Sequence, residues 1–81
     1  MELVYFAEEL VKSLVKNPDM IKVQKFEDED DNPILEIIVP SEDMGVVIGK
    51  NGKMINAIRT LIQAAAYNMG LKKVKINVDS F

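Results

Sequence analysis

The sequence has no cysteine, no histidine and no tryptophan among its 81 residues. Without cysteine there is no disulfide to staple the fold and no thiol chemistry. Without histidine the usual general base and the commonest metal ligand are missing. No stretch approaches the roughly 18 apolar residues of a membrane span. The start, Met1-Glu2-Leu3, has no basic n-region of the kind that opens a signal peptide, so a cytoplasmic protein is expected. A general excess of positive charge is absent too. The net charge is −3, whereas nucleic-acid binders are normally basic.

What is present is an apolar fraction of 48%, ordinary for a globular chain and enough for one small domain over residues 1–81. The charge is unevenly spread. Residues 1–44 hold Lys12, Lys16, Lys22 and Lys25 against twelve acids. Residues 45–81 hold Lys50, Lys53, Arg59, Lys72, Lys73 and Lys75 against Asp79 alone. A local field steers a ligand more than the net charge does, so the positive half is where an anion belongs.

Apolar periodicity predicts a first helix over residues 2–16, with Glu8 and Lys12 at ion-pair spacing and Asn17-Pro18 as its stop. Residues 20–26 alternate as a strand. The run Glu27-Asp28-Glu29-Asp30-Asp31-Asn32-Pro33 is too charged to bury and reads as a solvated hairpin loop. Residues 34–39 are nearly continuously apolar, as in a central strand. Ser41 is expected to cap a short helix that ends at Gly49, with Glu42 and Asp43 suiting its first turn. A longer helix follows Gly52 and runs to about Asn68, with Gly70 at its C′ position. Val74, Ile76 and Val78 then alternate with Lys75, Asn77 and Asp79 in a last, half-buried strand. The order α–β–β–α–α–β predicts an α+β fold, with three helices on one face of a three-stranded mixed sheet. The hairpin strands are antiparallel, and the two-helix crossover makes the second and third parallel.

The segment Gly49-Lys50-Asn51-Gly52 lies between two helices. Glycine tolerates positive φ and lets the backbone approach a ligand closely. The helix that follows presents unpaired N–H groups and a positive dipole end, a favourable setting for phosphate. Lys50 and Asn51 project as a cation and an amide. Lys53 stands in the first helical turn, against the dipole, which makes sense if an anion shares the site. Ile48 and Ile55 bracket the loop and Ile58 follows on the same face. With a sheet edge they would floor an apolar groove, so that a single strand rests its backbone on the loop and its bases in the groove.

The string Val47-Ile48-Gly49-Lys50-Asn51-Gly52-Lys53-Met54-Ile55 resembles the KH-domain signature V-I-G-x-x-G-x-x-I. The element order resembles the type II form of that fold. Over nearly its whole length the chain resembles the small stand-alone bacterial KH proteins, the KhpA family. That resemblance implies a single-stranded RNA-binding protein acting as an RNA chaperone. Gly49 to Gly52 would clamp the backbone of about four nucleotides, with Ile48, Ile55 and Ile58 lining the base groove. It further implies pairing as a homodimer, or as a heterodimer with a larger KH-containing partner (KhpB), and a link to cell-wall homeostasis and cell elongation.

Other motifs fail. Gly45 and Gly49 are one residue too close for a phosphate-binding P-loop, and Asn51 stands where the hydroxyl is needed. The acidic run has Pro33 and Val39 where a calcium loop needs glycine and glutamate. No constellation supports an enzyme, and no metal or cofactor is expected. The third helix carries more apolar residues than one core-facing stripe needs. Either the small domain wraps this helix, or Leu61, Ile62, Ala65 and Met69 lie at a dimer interface; the alternative to the RNA-binding reading is a dimerisation module with a weak or vestigial RNA site. Lys72, Lys73 and Lys75 read as solvated surface lysines, and Arg59 lies off the polar stripe of Lys53, Asn56, Thr60 and Gln63.

Overall fold

The computed structural model describes residues 2–71 and 73–81. Helix α1 spans Leu3–Lys12, strand β1 Lys22–Glu27, strand β2 Pro33–Val39, helix α2 Ser41–Ile48, helix α3 Lys53–Asn68 and strand β3 Lys75–Ser80. Single 3₁₀ turns cover Pro18–Met20 and Lys50–Gly52. The sheet order is β1-β2-β3. Strand β1 runs antiparallel to β2, from Lys22 opposite Ile38 to Glu27 opposite Pro33. Strand β3 runs parallel to β2, with Ile34 beside Lys75 and Val39 beside Ser80. Together with three helices this is the α+β, type II KH arrangement.

The core follows from the two periodicities. On β2, Leu35, Ile37 and Val39 alternate inward and are fully buried, while Ile34, Glu36 and Ile38 are only half-buried on the other face. On α3 the stripe Ile55, Ile58, Ile62 and Ala66 faces in. Leu3, Ala7 and Val11 of α1 and Val47 of α2 join the same cluster. Each buried aliphatic side chain contributes about 1.5–3 kcal/mol from area removed from water.

Helix α1 ends at Lys12, four residues before the expected stop. Ser13 Oγ donates to the Leu10 carbonyl at 2.6 Å. The chain then bends so that the amides of Lys16 and Asn17 donate to the Asp43 carboxylate at 3.2 and 3.3 Å. Asn17 Nδ2 adds a bond to Asp43 at 3.0 Å and one to Glu42 at 2.7 Å. Asp43 has no exposed surface. It is the tether between the exit of α1 and the first turn of α2, where sequence pattern suggested only a dipole partner. Ser41 is the first helical residue, not the cap; Pro40 holds the cap position in extended geometry. At the other end of α3 the C′ reading of Gly70 holds. Gly70 has φ 85, its amide donates to Tyr67, and the Leu71 amide reaches back to Ala66, which is a Schellman closure.

Candidate nucleic-acid interface

Helix α2 closes with the Gly49 amide donating to the Gly45 carbonyl at 2.9 Å. Gly49 then takes φ 76 and ψ 174. A Cβ placed there would stand 2.5 Å from Met54 Cβ and 2.8 Å from Met54 N, so the end of α2 touches the first turn of α3 through this glycine. Asn51 is left-handed at φ 57, ψ 27, a conformation that asparagine tolerates better than most residues. Gly52 is left-handed at φ 75, ψ 12 and is the N-cap residue of α3. Having no side chain, it caps nothing, and the first turn contains no acid. The amide groups that a helix start leaves without intrahelical partners, and the dipole behind them, therefore meet no competing carboxylate there. Lys50, Asn51 and Lys53 are exposed around this point, and Gly49 and Gly52 are half-buried.

From Lys53 one face of α3 continues through Asn56, Thr60, Gln63 and Tyr67, at helical spacing. Beside its later part lies an open groove of about 720 Å³ between α3 and the start of β3. Thr60, Ala64 and Tyr67 form one wall, and Lys73, Val74 and Ile76 the other. Hydrogen bonds link the walls. Arg59 Nη2 donates to the Ile76 carbonyl at 3.5 Å. The Val74 amide donates to Gln63 Oε1 at 3.0 Å. Among the described residues the groove is mainly apolar, its charged residues are Arg59 and Lys73, and no acid lines it. Such a surface can take the flat faces of bases and neutralise phosphates at its rim.

A family model described as the KH domain of KhpA and KhpB matches residues 5–78. The chain belongs to the KhpA/KhpB KH-domain family. That is a non-enzyme family. The chain is 47% identical over 57 residues to the RNA-binding protein KhpA of Caldanaerobacter subterraneus subsp. tengcongensis, covering 70% of this chain and 75% of that one. It is 51% identical over 59 residues to KhpA of Clostridium acetobutylicum, covering 73% and 77%. With KhpA of Clostridium perfringens the identity is 44% over 69 residues, covering 85% and 89%. Among solved structures, the GTP-analogue complex of Era with a piece of 16S ribosomal RNA matches with a TM-score of 0.66 at 18% identity. That match covers 98% of this chain and 30% of the Era chain, so the likeness is one of fold alone.

The KH fold brings Gly49, Lys50, Asn51, Gly52 and Lys53 together at one corner, with half-buried Ile48 just before them. It does not bring Ile55 and Ile58 to a groove floor. They are 5% and 1% exposed, because they occupy the inward stripe of α3 and pack into the core. The groove is instead walled by Thr60, Ala64, Tyr67 and β3. Of these only Thr60 belongs to the polar stripe read from the sequence, and it is the register of β3 beside β2 that brings the strand opposite them. Arg59 also belongs to this groove, although it lies off the Lys53 stripe. Ile62 has no exposed surface and so offers nothing to a second chain, whereas Leu61 and Met69 are 50% and 40% exposed and Ala65 is half-buried. Lys72 lies outside the described residues. No described helix is long and apolar enough to cross a membrane.

Proposed function

We propose that this chain binds single-stranded RNA, with the phosphates on the Gly49–Gly52 loop and the bases in the groove between α3 and β3. The observation that carries the reading is the loop itself: a helix start without a side-chain cap, reached through two glycines at positive φ and surrounded by Lys50, Asn51 and Lys53. The KhpA relatives are named as RNA-binding proteins, which supports it. Lys50 and Lys53 act as point charges, and Asn51 donates or accepts according to the strand's orientation. Contact with about four nucleotides gives a log–log salt slope of about −3. The test is fluorescence anisotropy of a labelled oligouridylate with wild type and the Lys50→Asp, Asn51→Asp double variant. Loss of binding with an unchanged circular dichroism spectrum is the expected result. Unchanged affinity at low salt would refute the reading.

In the same reading the protein is a cytoplasmic RNA chaperone, one KH domain over residues 1–81, and it works as a pair. Between Met54 and Leu71 the only charged residue is Arg59, and Leu61 is half exposed on the flank of α3 away from the groove. An uncharged helix flank of this kind favours burial against a second copy, or against the KH domain of a larger KhpB-like partner. Leu61, Ala65 and Met69 are the interface residues in this proposal. Two weak RNA sites joined in this way bind a longer strand through effective concentration. Sedimentation velocity distinguishes the outcomes: Leu61→Glu gives a monomer if the flank is the interface, and leaves the wild-type state unchanged if it is not. The link to cell-wall homeostasis and cell elongation rests on the KhpA resemblance.

A further inference from the structure

Lys73 borders two depressions. It is on the wall of the groove with Tyr67, and it also borders a smaller hollow of about 280 Å³ with Asp28, Asn32 and Lys75. The parallel register explains why. Lys75 sits beside Ile34, so the start of β3 lies next to the turn between β1 and β2. That turn carries Asp28, Glu29, Asp30 and Asp31, directly after Glu27 at the end of β1, all exposed. Helix α3 runs from the glycine loop to this end, and its 16 residues span about 24 Å. A strand held at Gly49–Gly52 and running along α3 therefore meets Arg59 first, then Tyr67 and Lys73, and then five consecutive carboxylates.

The turn is not a loose tail. The Asp28 carboxylate accepts from the amides of Asp30 at 2.8 Å and Asn32 at 2.9 Å, which fixes the loop in place. Asp31 is held at φ 62. A fixed acidic turn within a Debye length of the last groove cation repels the next phosphate of a long strand, and partly neutralises Lys73 and Lys75 as RNA contacts.

We propose that the acidic β1–β2 turn is an electrostatic stop at the far end of the RNA groove, one that limits how many nucleotides a single chain engages. This rests on the single-stranded RNA reading of the same groove. It makes the turn a determinant of site length and accounts for a binding surface on a chain of negative net charge. The remaining nucleotides of a long RNA are left free for a second copy.

The test is anisotropy with labelled tetrauridylate and dodecauridylate, comparing wild type with the triple variant Glu29→Gln, Asp30→Asn, Asp31→Asn. Asp28 is kept because it holds the turn, and asparagine at 31 tolerates positive φ. The expected result is unchanged affinity for the tetramer and roughly three- to tenfold tighter binding of the dodecamer. The dodecamer's log–log salt slope should steepen by about 0.7 for each added phosphate contact. Equal tightening of both probes would mean a general charge effect and would overturn the stop. No change with either probe would overturn it as well. Binding of neither probe by either protein would remove the RNA reading itself, a result distinct from the other two.

Discussion

Among the described residues two tight turns carry a left-handed non-glycine residue, Asp31 at φ 62 and Asn51 at φ 57, and they use it in opposite ways. The turn after β1 consumes its own hydrogen-bonding capacity. The Asp28 amide donates to the Asn32 carbonyl, and the Asp28 carboxylate takes the amides of Asp30 and Asn32 and the Asn32 side chain. The turn before α3 has no side chain that does this. Its N-cap is a glycine, and its neighbours Lys50 and Asn51 point to solvent. One turn is closed and negative, the other open and positive. The contrast separates a turn closed by its own side chains from one whose Gly52 and Lys53 amides donate only to backbone carbonyls and whose side chains are left to solvent, as the proposed RNA site requires.

The largest effect is expected from reversing the charge of the open turn. Lys50→Asp with Asn51→Asp should weaken RNA binding by about a hundredfold or more, measured by anisotropy, because it adds two carboxylates where the proposed site holds phosphates. Next is Gly49→Ala. Its Cβ would meet the backbone of Met54, and its φ of 76 is strained for alanine, so a stability loss of about 2–3 kcal/mol is expected in urea melts. Gly52→Ala sharpens the comparison. The nearest atom to its Cβ is Ile55 Cγ2 at 4.0 Å, leaving only the left-handed backbone, at about 1 kcal/mol. Asp28→Ala should cost the closed turn its order without touching the open one. Faster hydrogen exchange at Asp30 and Asn32, with RNA affinity for a tetranucleotide unchanged, is the outcome to look for.

The smallest effect is a titration. Hydrogen bonds from the Asn32 amide, then the Asp30 amide and the Asn32 side chain, with Lys75 nearby, hold the Asp28 carboxyl below its ordinary 3.8. A depressed folded value means its contribution to the turn is complete above pH 3.8 and is lost as pH falls through the lowered value. The amide shifts of Asp30 and Asn32 should therefore titrate with a midpoint below 3.8. A midpoint at or above it would show that the turn does not stabilise the carboxylate.

Much of this was legible from residue pattern. The strand run 34–39 is central because both its faces are apolar, and the glycine spacing marks the loop whatever the rest of the chain does. What pattern missed depends on contacts distant in sequence. Nothing local marks Asp43 as buried; its partners, Lys16 and Asn17, lie 27 and 26 residues away. The early end of α1 follows from that same tether. Ile55 and Ile58 share the apolar character a base groove needs, but a helix has one inward stripe and the core takes it. The groove that does form joins α3 to a strand beginning at Lys75, and its wall residues become neighbours only once β3 is in register with β2.

The most direct measurement is an amide chemical-shift titration of the isotope-labelled protein with tetrauridylate. The open-turn account predicts the largest shifts at Lys50, Asn51, Gly52 and Lys53, smaller ones at Thr60 and Val74, and none at Asp30 and Asn32. Shifts at the acidic turn as large as those at the glycine loop, or a glycine loop that does not respond while RNA binds, would contradict it.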